Sequence, residues 1–186
     1  MTQISDWFHK ISTGWVALAG LVIFVLFTTL VLPGQASQAD SSSEDIGSPD
    51  LSFTYSVEDL YKMAQAYGED GRAAYIRVRF SFDVAWPLVY GFFLITTISW
   101  LYARSFKSDN LWQRANLAPF LGVIFDFMEN ISTSLVMYRY PAKTPMIDWL
   151  APIFTATKWV FVGGSFIFLL VGIVAGIWKF LRSKNA

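Results

Sequence analysis

The chain has 186 residues, 54% of them hydrophobic, 18% aromatic and only 15% charged, and its formal net charge is zero. That is the composition of a membrane protein rather than a soluble one, and a neutral balance offers no electrostatic footprint for nucleic acid. The absence of cysteine excludes disulfides, thiolate catalysis and thiolate metal ligands, and a single histidine, His9, leaves only a carboxylate set as a metal option.

Residues 1–14 precede the first apolar run, Trp15 to Leu32, which contains no charge. About 20 apolar residues at 1.5 Å each cross a bilayer, so this run reads as a first transmembrane helix. The following "LPGQASQAD" places small residues at Ala36 and Ala39, which raises the alternative of a cleaved signal peptide. The length of the run and its weakly basic leader favour a retained helix. Residues 33–55 are rich in Ser, Asp, Gly and Pro without periodicity, and read as a flexible linker.

Val57, Leu60, Tyr61, Ala64 and Tyr67 then recur at helical spacing behind Ser56 and the acidic pair Glu58-Asp59. This is the pattern of a short amphipathic helix with an N-terminal cap, expected on the outer surface of the membrane region. "YGEDG" breaks it. A new helix is expected to start near Asp70, within residues 56–79, and to run on into the second span.

Three more apolar runs fill residues 80–186: roughly Phe80 to Tyr102, Asn116 to Met137 and Ala151 to Ile177. The last is long enough to require tilt or projection beyond lipid. Pro87, Pro119 and Pro152 lie near one end of these runs. A proline inside a helix deprives the carbonyl four residues earlier of its donor, here Asp83 for Pro87 and Asp148 for Pro152. "GIVAG" at Gly172 to Gly176 has the small-xxx-small spacing of a close helix contact, within the chain or in a homodimer.

The predicted fold is therefore an all-α integral membrane protein, a bundle of four transmembrane helices with an extracytoplasmic amphipathic helix after the first span. The positive-inside rule puts both termini in the cytoplasm, with Lys10, Arg104, Lys107, Arg114, Lys179, Arg182 and Lys184 inside and most acids outside. Trp15, Trp100, Tyr102, Trp112 and Trp178 then mark the inner interface, and Tyr138, Tyr140 and Trp149 the outer one. The predicted location is the cell membrane.

The chemistry concentrates in the third run. Asp126, Glu129, Asn130 and Thr133 occupy i, i+3, i+4 and i+7, one stripe on one helical face. An intramembrane charge costs about 2.5–3.5 kcal/mol, so two carboxylates demand protons or compensating cations. Lys158, with Thr155 three residues before it, lies in the fourth run. Arg79, Asp83 and Trp86 share a face at the start of the second. From 1.5 Å per residue, Asp126 lies near the midplane, with Glu129 about 4–5 Å, Lys158 about 9 Å and Asp83 about 12 Å outward. These nine residues are expected to converge on one pocket in the outer half of the bundle.

Three functions fit such a pattern. The first is binding or transport of a lipid-soluble or small polar ligand. The second is an intramembrane enzyme acting on a lipid or isoprenoid, with Asp126 or Glu129 as acid or base. The third is an accessory subunit whose ion pairs only fix helix registry. The small size and lack of an internal repeat argue against a transporter built on inverted repeats, and no nucleophile-plus-base motif supports an enzyme. The pattern specifies no cofactor.

Overall fold

A computed structural model of the chain describes residues 2–34 and 47–184. The protein is all-helical: 85% helix, with no strand among the described residues. Among the described residues seven α-helices follow one another: α1 (Thr2–Ile11), α2 (Gly14–Leu30), α3 (Val57–Ala66), α4 (Gly68–Arg79), α5 (Phe82–Ser105), α6 (Leu117–Arg139) and α7 (Ile147–Lys184). Short 3₁₀ turns occupy Pro49–Leu51 and Leu111–Asn116. Four helical stretches are long and apolar enough to cross a membrane: Gly14–Gly34, Gly68–Ser105, Leu111–Arg139 and Ile147–Lys184. The candidate cleavage sites at Ala36 and Ala39, and most of the expected linker, lie outside the described residues.

The chain divides into two compact units. One comprises Met1–Leu26, Val89–Gly122 and Val160–Ala186; the other comprises Phe27–Leu88 and Val123–Trp159. The long helices contribute residues to both.

In the first unit the amino-terminal residues form a helix that the sequence reading does not anticipate. It carries an apolar stripe, Ile4, Trp7, Phe8 and Ile11, at i, i+3, i+4 and i+7, but of these only Phe8 is buried, and the other inward contacts are polar. Ser5 Oγ donates to Asn116 Oδ1 at 2.8 Å, and Asn116 Nδ2 donates to Ser5 O at 3.1 Å and Ser99 Oγ at 3.0 Å. Phe8 packs edge-on against Phe120. His9 lies between two main-chain carbonyls, with Nδ1 3.0 Å from Ser99 O and Nε2 2.9 Å from Gln113 O. A carbonyl only accepts, so both bonds exist together only when both ring nitrogens carry hydrogen.

Close helix approaches complete this unit. A Cβ on Gly172 would come within 2.9 Å of Tyr102 Cε2, so only glycine lets α7 pass α5 at this distance. Tyr102 OH donates to Phe168 O at 2.9 Å beside it. The small-residue motif of α7 thus packs within the chain.

In the second unit, α3 begins with a reciprocal cap. Asp59 N–H donates to Ser56 Oγ at 3.1 Å, and Ser56 N–H donates to Asp59 Oδ2 at 3.0 Å. The helix buries Leu60, Tyr61 and Ala64 against Tyr75, Val136, Met137 and Ala151, and leaves Glu58 and Lys62 exposed as an i, i+4 pair. Full burial of a side chain such as Leu60 contributes about 1.5–3 kcal/mol. Tyr61 OH donates to Asp148 Oδ2 at 3.0 Å and accepts from Thr144 N–H at 2.8 Å. Burial raises the Tyr61 hydroxyl pKa, the Thr144 bond lowers it and Asp148 raises it again.

Gly68 separates α3 from α4 with φ +64°, a left-handed conformation that glycine adopts without a Cβ clash. The helix expected from Asp70 into the second span is present but interrupted at Phe80–Ser81. Phe80 leaves helical geometry (φ −100°, ψ 13°), and Ser81 Oγ donates to Arg77 O at 2.7 Å, a local bond that competes with the helix ladder. Pro119 falls in the first turn of α6, where a missing N–H costs nothing.

Candidate functional site

The polar stripe of α6 points into the second unit. Asp126, Glu129, Asn130 and Thr133 are all buried, and Glu129 and Thr133 are fully so. Of its two carboxylates, Glu129 is met by a side chain from another helix, and Asp126 accepts from Asn130 of its own. Lys158 Nζ of α7 lies 2.5 Å from Glu129 Oε2, and both side chains are almost wholly buried. Arg79 at the end of α4 grips two carboxylates: Nη1 to Asp83 Oδ2 at 2.7 Å and Nη2 to Asp50 Oδ1 at 2.7 Å. The Arg79 guanidinium also lies over the Tyr75 ring, 4.5 Å from its centre.

Asn130 links α6 to α5. Its side-chain amide donates to Asp126 Oδ1 at 3.1 Å and to the main-chain carbonyl of Asp83 at 3.2 Å. That carbonyl is the one that Pro87 deprives of a helical donor.

Asp50 joins the two halves of this network. Its carboxylate pairs with Arg79 and its main-chain carbonyl accepts from Lys158 Nζ at 3.5 Å. Burial alone would raise its pKa, but Arg79, the Ser48 hydroxyl and Lys158 outweigh burial and hold it below the ordinary carboxylate value. Tyr55, from the same segment, shares a 3.0 Å hydrogen bond with Thr155 Oγ1. Thr155 also donates to Ala151 O at 3.1 Å.

Of the nine residues singled out in the sequence, Arg79, Asp83, Asp126, Asn130, Glu129 and Lys158 are joined through Asp50 and one another. Thr155 reaches the cluster's neighbourhood through Tyr55. Thr133 turns back to donate to Glu129 O at 2.9 Å. Trp86 stacks on Phe27, ring centres 5.8 Å apart. The residues that sequence reading misses are Asp50, Tyr55 and Tyr75. The local signal for Asp50 is "SPD" at 48–50, a turn with proline at its first helical position.

The connected cluster holds four carboxyl groups, Asp50, Asp83, Asp126 and Glu129, against two cations, Arg79 and Lys158. Glu129 Oε1 is buried without a hydrogen-bond partner among the described residues. No group of three or more acidic or histidine side chains there is arranged to hold a metal ion. Two surface grooves, of about 830 and 460 Å³, are lined entirely by residues of the first unit.

Fold and site together define an all-helical protein with four potential membrane-crossing helices and a buried network of charge. No protein-family model, curated protein or solved structure matches the chain.

Proposed function

We propose that the protein is a multi-pass membrane protein in which the cluster around Glu129 and Lys158 binds a small, lipid-soluble ligand bearing a positive charge. The four apolar helices are compatible with a multi-pass membrane protein. Both termini would be cytoplasmic, with residues 33 to about 75 outside and α3 lying against the outer surface. The cluster then falls in the outer half of the bundle, and a ligand from the outer leaflet would reach it by parting the helices that bury Glu129.

The observation that carries the reading is the fully buried Glu129, whose Oε1 has no hydrogen-bond partner among the described residues. In a medium of low dielectric an uncompensated carboxylate is expensive, so it holds a proton or attracts a cation. An ammonium group on an apolar body matches both the charge and the surroundings. In this reading Lys158 is a tethered ammonium occupying the place that the ligand contests.

Two experiments test the proposal. The wild-type protein in detergent should be stabilised against heat by a long-chain amine, but not by the alcohol or carboxylate of equal length. The Glu129→Gln variant should lose the response. Equal stabilisation by all three compounds, or an unchanged response in Glu129→Gln, would sink it. Topology is tested by single-cysteine labelling, since the native chain has no cysteine. A cysteine at position 45 should react from outside only.

The accessory reading draws support from the direct ion pairs of Lys158 and Arg79. It differs in its outcome: variants of the cluster would then change stability while no amine bound at all.

A further inference from the structure

The last third of α7 carries a feature unrelated to the charge cluster. Leu170, Val174, Trp178 and Arg182 follow at i, i+4 spacing and line one side of the 830 Å³ groove, with Ser105 and Phe106 at the end of α5. The first three are exposed, at 62%, 65% and 65%. The stripe is apolar at Leu170, amphipathic at Trp178 and cationic at Arg182. Lys179, also in the groove lining, adds a second positive charge, and the lining contains no carboxylate. Lys179 Nζ donates to Arg104 O at 2.6 Å, which spends one of its three protons on the end of α5. Arg182 forms no ion pair among the described residues.

We propose that this groove binds one anionic phospholipid. An acyl chain lies along Leu170 and Val174, the glycerol region sits beside Trp178, and the phosphate lies against Lys179 and Arg182. The inference rests on the membrane reading given above but not on the ligand assigned to Glu129. Two arguments support it. The twelve helical steps from Leu170 to Arg182 span about 18 Å, close to the depth of one leaflet, roughly half of a 30 Å hydrocarbon core. A phosphate alone would have no use for the apolar stripe, and a zwitterionic lipid would bring its own cation to two basic side chains. Basic groups at the inner ends of membrane helices favour anionic headgroups, and two of them give a preference on the order of tenfold.

The test uses the full chain reconstituted in phosphatidylcholine bilayers, with tryptophan fluorescence as the readout. Phospholipids brominated on the acyl chain are added at equal, small mole fractions, either as phosphatidylglycerol or as phosphatidylcholine. The brominated anionic lipid should quench in excess of the zwitterionic one. The excess should disappear in Trp178→Phe, which locates it, and in the Lys179→Gln/Arg182→Gln double variant, while added glycerol phosphate leaves it unchanged. Equal quenching by the two lipids, or an excess that survives in the double variant, overturns the proposal. Relief of the excess by glycerol phosphate also overturns it, by making the groove a site for soluble phosphate. Loss of quenching by either lipid as protein density rises overturns it in favour of a second copy in the groove. If neither lipid quenches at any density, the membrane reading itself fails.

Discussion

The side-chain amide of Asn130 donates to the main-chain carbonyl of Asp83 across two helices, at 3.2 Å, where Pro87 has removed that carbonyl's own helical donor. A break in the ladder of α5 and a polar residue on α6 therefore answer each other. Asn130→Ala should cost about 1–3 kcal/mol, because a buried carbonyl loses its only substitute donor. In a Pro87→Ala background the helix can supply the N–H again, so the same change should cost less. Unfolding in detergent of the four proteins of this cycle measures the coupling. Equal costs in the two backgrounds would separate Asn130 from Pro87.

Lys158 and Glu129 form the second coupled pair. Lys158→Met leaves a fully buried carboxylate uncompensated, a loss of about 3–5 kcal/mol in soluble proteins and less where a proton can be taken up. The variant should be least impaired at low pH, and Glu129→Gln should partly restore it. A double variant as unstable as the sum of the two singles would show the residues to be uncoupled.

Asp50 predicts a different pH dependence. Its pKa is held below the ordinary 3.8 by Arg79, Ser48 and Lys158 against the opposing effect of burial. A depressed carboxylate contributes its full stability above the unfolded value and loses it as pH falls through the folded one. The amides of Leu51 and Ser52, which donate to Ser48 O and Pro49 O, should keep their exchange protection from neutral pH down to about 4 and lose it below. In Asp50→Asn that acid step should be absent and protection lower throughout. A step of full size in Asp50→Asn would assign it to another group.

His9 should anchor α1. His9→Phe removes both bonds to Ser99 O and Gln113 O, at roughly 1–3 kcal/mol. A single cysteine at position 5, buried in the native packing, should label faster in that background. Unchanged labelling would mean that Asn116 alone holds the helix.

The sequence makes some of these relationships visible and hides others for physical reasons. Length and apolarity directly mark the four helical stretches long enough to cross a membrane. The i, i+3, i+4, i+7 stripe of α6 declares that Asp126, Glu129, Asn130 and Thr133 share a face, and the cost of an unpaired charge points from Glu129 to Lys158. Nothing local tells that Asp50, in a Ser- and Asp-rich stretch, folds back to meet Arg79 and Lys158, because that contact depends on where a loop closes. Trp86 occupies the expected face of its helix, yet its ring is claimed by Phe27, a residue 59 positions earlier. The amino-terminal helix has its own apolar periodicity, Ile4, Trp7, Phe8 and Ile11, but it is too short to read as a span, and its polar contacts through Ser5 and His9 are made to residues about 90 to 110 positions away.

Glu129 and its neighbours are proposed to receive a cationic, lipid-soluble ligand, and photolabelling can catch that ligand in place. A photoactivatable long-chain amine is irradiated with the wild-type protein, and the modified peptides are mapped by mass spectrometry. The adducts should concentrate between residues 123 and 137 and between 151 and 159, and should be lost in Glu129→Gln and when excess unlabelled amine is present. Adducts spread evenly over all four apolar helices, or unchanged in Glu129→Gln, would contradict the account.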